Sequence, residues 1–365
     1  MRVVSVELKN FRNYDNLSLK FRDGINVLVG KNAQGKTNLL EAIYLVAIGR
    51  SPRTSKDRDL IKWGSDFAKV NVEITRIGGR KKIEIYLFNN QNKAIKINSF
   101  PISKIGELMG EFNCIYFSPD EMRLIKDSPD ERRRFIDIHL SQFDKNYFYH
   151  LDKYNKVLQA RNKLLKSGNE SVIKDTISIW DEQLASIGAK LIFDRIKFLQ
   201  KLSVHAKIVH GYLTSDSEVM DLEYVGMTGD SISDIKNKLQ SEYDKNLAKD
   251  IHLGYTTVGP HRDDIKISAN GIDLRSFGSH GQQRTGALSL KLAELEVFCE
   301  NLGEYPVLLL DDVLRELDID RQNKLLSFQN VTFWKKMNWM QKSKIFLKKQ
   351  ILMNICASLL IQERV

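Results

Sequence analysis

Gly30-Lys31-Asn32-Ala33-Gln34-Gly35-Lys36-Thr37 has the spacing G-x-x-x-x-G-K-T. Before it stands Ile25-Asn26-Val27-Leu28-Val29, an apolar run of strand length. After it, from Asn38 to Leu45, comes a helical pattern. Strand, glycine loop and helix in that order form a phosphate cradle, because loop N–H groups and the helix N-terminus point at the same anion. Residues Gly30 to Asn38 are therefore the expected nucleotide-binding loop. Lys36 reaches the β- and γ-phosphates of ATP, and the Thr37 hydroxyl ligates Mg2+.

Outward from the loop, Val4, Val6 and Leu8 alternate, as do Leu17, Leu19 and Phe21. These read as two half-buried strands, and Asp23-Gly24 as the turn into the loop strand. The whole opening, from Val6-Glu7-Leu8-Lys9-Asn10-Phe11-Arg12-Asn13-Tyr14 through Asp23-Gly24 to Asn38-Leu39-Leu40-Glu41-Ala42-Ile43, resembles the head domains of the SMC, Rad50 and RecF group of ABC-type ATPases. The resemblance implies an α/β fold: a P-loop ABC-type ATPase head, a mixed sheet with flanking helices, carrying an inserted all-helical lobe.

The resemblance places further motifs. Ser276 to Arg284 looks like the ABC signature, with Ser279 and Gly281 in its key positions and Gln282 beside them. The helix behind it shows Leu288, Leu292, Leu295 and Phe298 at three- and four-residue spacing and ends at Gly303, so its N-terminus offers a second phosphate site. Val307-Leu308-Leu309-Leu310-Asp311-Asp312 reads as Walker B. An unbroken apolar run suits a strand buried on both faces of a parallel sheet. Asp311 holds Mg2+ through water, and Asp312 stands where the group has a general-base glutamate. Glu316-Leu317-Asp318 matches the D-loop. A serine-x-arginine segment after the P-loop helix makes Arg53 either an arginine facing the nucleotide or DNA, or an ordinary surface arginine. At Ser118-Pro119-Asp120-Glu121 the group has a glutamine and this chain has none, which leaves Ser118 or Asp120 as substitutes.

Residues 68–77 and 82–88 read as a hairpin about Gly78-Gly79, continued by residues 94–97. Residues 102–109 read as a short helix and 114–117 as a strand. Ser128-Pro129-Asp130-Glu131 is a helix start, with serine as cap and proline in the first turn. The run from Ser128 to Asp137, and Gly259-Pro260-His261-Arg262-Asp263-Asp264 later, are similar to stretches of the RecF branch of the group. Arg132, Arg133 and Arg134 read either as contacts for DNA or a partner, or as a solvated helix face. From 118 to 251 the pattern is nearly all helical. One apolar stripe is Leu151, Tyr154, Leu158, Leu164 and Leu165. Another is Ile179, Leu184, Ile187, Leu191, Phe198 and Leu202. The insertion is too short for a long coiled coil. His139, His150, His205 and His210 lack metal-like spacing and read as structural.

Composition sets the bounds. The chain has 365 residues, 42% hydrophobic and 28% charged, as expected for a globular protein with a sizeable core. Cys114, Cys299 and Cys356 are far apart, which speaks against a zinc site or disulfides and for the cytoplasm. Met1-Arg2 leads straight into a strand pattern, so no signal peptide is expected, and the apolar run 351–361 is too short to span a membrane. The net charge of +10 suggests a polyanionic partner. Much of that excess lies in residues 329–365, which hold seven Lys or Arg against one acid and no glycine, proline or aspartate. The resemblance covers residues 1–328 and implies a further buried strand and a threonine-rich switch, which this tail lacks. Two readings stand: a reading frame lost near residue 328, which is preferred, or a divergent basic tail that binds DNA or a partner.

The organisation expected is an ATPase lobe of residues 1–118 plus 252–328, a helical lobe of 119–251, and the atypical basic tail 329–365. One copy of each motif implies an ATP-dependent homodimer, with the signature of one subunit closing the site of the other. The resemblance implies single-stranded or gapped duplex DNA as ligand, RecR and RecO as partners, help in loading a recombinase, and weak DNA-stimulated ATP hydrolysis. Lys36, Asp311 and Asp312 are the expected catalytic residues. A non-hydrolysing ATP-binding scaffold, or another SMC-like ATPase, is the alternative. A transporter subunit is disfavoured by the long helical insertion between the P-loop and the signature.

Overall fold

The computed structural model describes residues 1–168, 170–313, 317–325 and 327. Alternating apolar residues build the first sheet. Its strands are β1 (Arg2–Phe11), β2 (Tyr14–Lys20), β3 (Phe67–Arg76), β4 (Gly79–Phe88), β5 (Ala94–Ile97) and β6 (Phe100–Ile102), in the order β2-β1-β3-β4-β5-β6, antiparallel throughout. Val6, Leu8, Val70, Val72, Ile83 and Ile85 line its inner face and are buried with Ala42, Leu45 and Val46 of helix α1 (Lys36–Ile48). The turn between β3 and β4 is made by glycines with φ +99° and +113° at Gly78 and Gly79, where a side chain would be strained.

Strand β7 (Cys114–Phe117) pairs in parallel with β11 (Val307–Leu310), with Tyr116 opposite Leu309 and Phe117 opposite Leu310. Two expectations fail here. Residues 25–29 form no strand, and Ile25, Val27 and Val29 are 54%, 65% and 70% exposed. Among the described residues β11 also pairs on one edge only. An apolar run without a neighbouring strand has nothing to satisfy its backbone, so residues 25–29 stay outside the sheet. For the same reason β11 is partly exposed, with only Leu309 buried. Residues 102–109 are not a helix: Ile102 ends β6, and Ile105–Glu107 make one 3-10 turn.

The helical insertion comprises α2 (Arg123–Lys126), α3 (Pro129–Phe143), α4 (Lys145–Leu165), α5 (Glu170–Thr214) and α6 (Ile232–Leu253). Pro129 opens α3 as expected, although the Ser128 side chain makes no capping bond. Tyr147, Tyr154 and Val157 of α4 pack with Leu184, Leu191 and Ile192 of α5 and Ile235, Leu239 and Tyr243 of α6. Ile179 leaves the expected stripe and is 59% exposed. One strand interrupts the helices: β8 (Met220–Val225) pairs with β9 (Asp264–Ala269), which β10 (Ile272–Asp273) extends. Met220 is buried beneath it, while Asp221 and Glu223 face outward. Helices α7 (Leu274–Phe277) and α8 (His280–Leu302) follow. A second core joins α5, α8, β7 and β9 around Leu202, Leu288, Leu292 and Phe298. The tail 329–365 and Glu316 of the expected D-loop lie outside the described residues.

Candidate nucleotide-binding site

The loop takes its shape from backbone conformations that few residues tolerate. Ala33 has φ +65° and Gly35 φ +97°. A Cβ on Gly35 would lie 2.7 Å from the Asn13 amide and 2.8 Å from the Tyr14 ring, so glycine is required there. Gly30, Lys31, Asn32, Ala33 and Gln34 face solvent. Lys36 opens α1 and folds back, its Nζ donating to the carbonyls of Gly30 at 2.7 Å and Lys31 at 2.9 Å. That places the ammonium across the mouth of the loop, beside the free N–H groups of the first helical turn.

The structure brings Walker A and Walker B together. Thr37 Oγ1 donates to Asp311 Oδ1 at 2.9 Å, joining residues 274 positions apart. The Asp311 N–H donates to Phe117 O at 2.9 Å, which extends the β7–β11 ladder by one bond. A hydroxyl and a carboxylate are the hard oxygen donors that Mg2+ takes, so the pair fits the expected ion. Asp312 has φ +54°, a left-handed conformation that aspartate tolerates, and is exposed.

Three further residues meet this site that the motifs did not mark. Tyr116 Oη donates to Asp311 Oδ2 at 2.8 Å. Burial, then the bond to Asp311, pushes its phenol well above the usual range, so it stays a donor. Glu41 is fully buried in α1. It accepts from Arg12 Nε at 2.9 Å and NH2 at 2.7 Å, from Ser51 Oγ at 2.5 Å, and from Arg53 NH1 at 3.3 Å. Arg53 NH1 also donates to Asn38 Oδ1 at 3.0 Å, and Asn38 Nδ2 to Asn13 Oδ1 at 2.8 Å. One carboxylate thus holds two guanidinium groups against the first turns of the P-loop helix. The signal for Glu41 was a charge inside the apolar run Leu39 to Ala47. The contacts of Arg12 and Tyr116 are set by tertiary packing.

The signature is a built helix start. Ser279 caps α8, its Oγ accepting from Gln282 N at 3.2 Å, while Gln282 Oε1 accepts from Ser279 N at 2.9 Å. Gln282 Nε2 donates to Glu218 Oε1 at 2.9 Å. Ser279, His280 and Gly281 face solvent, next to Phe277 at 78% exposure. Among the described residues no hydrogen bond or ion pair joins residues 30–37 to residues 279–282.

Other chemically suggestive groups are structural. Arg132 is buried and grips Asp264 through Nε at 2.6 Å and NH2 at 2.9 Å, and Arg133 donates to Asp263 O. Arg195, also buried, binds Asp137 and the Pro260 carbonyl, the latter at 2.6 Å. Burial raises the Asp263 carboxyl to about 6 against the opposing pull of Tyr224 and Arg195, and lowers His261 to about 4. His139 pairs with Glu294 at 2.9 Å, His205 with Glu300 at 2.9 Å and His210 with Glu218 at 3.1 Å. Among the described residues no group of three His, Cys, Asp or Glu is placed to hold a metal, Cys114 and Cys299 are free, and no helix is long and apolar enough to cross a membrane.

A P-loop at the start of α1 and a Walker B aspartate at the end of the parallel β7–β11 pair, with a helix-capping signature facing outward, define an ATP-binding head of the SMC type. The model of the RecF/RecN/SMC N terminal domain family matches residues 2–341. The DNA replication and repair protein RecF of Clostridium novyi (strain NT) is 45% identical over 327 residues, covering 90% of each chain. Solved structures of the recombination mediator protein RecF in the RecFOR pathway are also similar. The RecF-ATPrS structure has a TM-score of 0.84 at 40% identity over 90% of each chain, and the RecF-ATP structure 0.84 at 39% over 94% and 93%. The chain belongs to the RecF family, whose members are named for DNA replication and repair.

Proposed function

We propose that the protein is an ATP-operated dimeric clamp on DNA, acting in recombinational repair and replication. The observation that supports this best is the 2.9 Å bond between Thr37 and Asp311, which joins Walker A to Walker B. The N–H groups of residues 30–35 and the start of α1 bind the triphosphate, and Lys36 turns from the loop carbonyls to the β- and γ-phosphates. Thr37 and Asp311 hold Mg2+, which when bound neutralises charge on those phosphates. Asp312 orients the attacking water. Its side chain is one methylene shorter than glutamate, which fits slow turnover.

Ser279, Gly281 and Gln282 of a second copy close the other side of the nucleotide, since Ser279 and Gly281 face solvent, Gln282 is half-buried behind them, and none of the three bonds its own P-loop. ATP thus adds affinity across a two-fold interface and hydrolysis removes it. The division into an ATPase lobe (1–118 plus 252–328) and a helical lobe (119–251) is part of this reading. Arg53, held beside the P-loop helix, faces the nucleotide. By analogy with the RecFOR relatives, the ligand is single-stranded or gapped DNA, the partners are RecR and RecO, the task is recombinase loading, and the compartment is the cytoplasm.

Sedimentation of the full chain with ATP, ADP, and ATP plus DNA tests the proposal. ATP-specific dimers that are absent in Lys36→Met and in Ser279→Arg are expected. A monomer under every condition, or dimers indifferent to nucleotide, would overturn it.

A further inference from the structure

We propose that Tyr116 is a positioning residue for Asp311, fixing the carboxylate that takes the metal. The inference rests on the Mg-ATP reading of the site and adds a residue to it. Its basis is the strand register. In a parallel pair, residues two apart share a face. Tyr116 lies opposite Leu309, so Tyr116, Leu309 and Asp311 stand on one face, and the long phenol spans the step from Leu309 to Asp311. The Asp311 N–H is already tied to Phe117 O, so backbone and side chain of Asp311 are both fixed from β7.

The two hydroxyl bonds divide the carboxylate. Thr37 takes Oδ1 at 2.9 Å and Tyr116 takes Oδ2 at 2.8 Å. A carboxylate offers about four lone-pair positions, so with both hydroxyls in place about two remain for the cation or its water, in a plane that cannot swing. Tyr116 is itself held. It is 6% exposed and its ring lies 5.5 Å from that of Tyr44 on the P-loop helix, at 54°.

The polar residues that follow β7 do not compete for this role. Ser118 is buried without a bond to Asp311, Asp120 pairs with Arg123 at 3.6 Å, and Glu121 pairs with Lys291 at 3.2 Å. Among the described residues Tyr116 is the β7 side chain that bonds the metal-binding carboxylate. The turn that lacks a glutamine thus has its contact to the metal site two residues upstream.

Tyr116→Phe in the full chain tests this, because it keeps the ring and removes one oxygen. The readout is binding of a fluorescent ATP analogue, titrated with Mg2+ and repeated in EDTA. Loss of an outer hydrogen bond to a metal ligand weakens metal affinity by about tenfold or more. The Mg2+ midpoint should therefore rise about tenfold while binding in EDTA changes less than about twofold. In an Asp311→Asn background the same substitution should change nothing, because Tyr116 acts through Asp311. An unchanged Mg2+ midpoint overturns the proposal. So does an equal loss with and without Mg2+, or a full effect when Asp311→Asn is already present, since either marks a purely structural residue. Wild-type binding that survives Lys36→Met would instead overturn the nucleotide site itself, and the role of Tyr116 with it.

Discussion

Replacing Arg161 by methionine tests the electrostatic account of the helical lobe. Arg161 is fully buried on α4. Its guanidinium bonds Asp181 on α5, Asp250 on α6 at 2.7 Å, and Thr256 Oγ1 at 2.9 Å. Methionine fills much of the stem's space, so the loss is electrostatic. The two carboxylates left behind differ. Asp250 still accepts from Thr257 N at 3.0 Å and Thr257 Oγ1 at 2.7 Å. Asp181 has no second hydrogen-bond partner among the described residues, and burial already raises its carboxyl while Arg161 pulls it down. Removing one partner of a buried pair costs about 3–5 kcal/mol. Asp181 can escape by taking a proton, which at pH 7 costs about 4 kcal/mol for a carboxyl of ordinary pKa. The predicted loss at pH 7 is therefore about 3–4 kcal/mol.

The pH dependence has a definite sign. In the variant the folded-state pKa of Asp181 lies above the unfolded value, so the folded state binds more protons and stability falls as pH rises through that window. At pH 5 the escape costs only about 1.5 kcal/mol, so the deficit against wild type should shrink to about that size. Urea unfolding followed by far-UV circular dichroism at both pH values measures it. A deficit below about 1 kcal/mol at pH 7, or one as large at pH 5 as at pH 7, would refute the reasoning.

Gly35→Ala should abolish nucleotide binding in calorimetry, because φ is +97° and the added Cβ would strike Asn13 and Tyr14; the strain should also cost about 1–3 kcal/mol in urea unfolding. Glu41→Ala strips Arg12 and Arg53 of their shared acceptor and should cost about 2 kcal/mol, with nucleotide binding weakened as the two arginines lose register; wild-type stability would show that the buried clamp contributes nothing. Asp263, raised to about 6 by burial, makes folding progressively less favourable as pH climbs from about 4 to 6. Asp263→Asn should flatten the stability profile across that window by about 3 kcal/mol, read from unfolding curves at half-unit pH steps. An unchanged slope would mean that the carboxyl is ionised at its ordinary pKa.

What could be read from the chain was chemistry that demands fixed residue types. A triphosphate needs the glycines, Lys36 and Thr37 in one short run, and Asp311 must follow an apolar strand, so these motifs stand out before any folding is known. Residues whose role comes from packing do not. Glu41, Arg12 and Tyr116 reach the site across 10 to 195 positions of sequence. Arg132 and Arg133 read as possible surface contacts, yet they are consumed by Asp264 and the Asp263 carbonyl. Residues 25–29 have a strand's composition but stay exposed, because a strand depends on its neighbour as much as on its own residues. Met220 to Val225 show the converse: Met220, Leu222 and Tyr224 alternate with Asp221 and Glu223 as a half-buried strand does, but the run is short and lies among long helical stripes, and β9 pairs it along its length.

The composite site is the central claim, and mixing two defective variants tests it most directly. Lys36→Met removes the P-loop lysine and leaves the signature, and Ser279→Arg does the reverse. Their heterodimer would contain one intact site, formed by Lys36 of one chain and Ser279 of the other. The account predicts that each variant alone sediments as a monomer with ATP, and that the equimolar mixture gives ATP-dependent dimers. A mixture that remains monomeric, while the wild type dimerises with ATP, would contradict it.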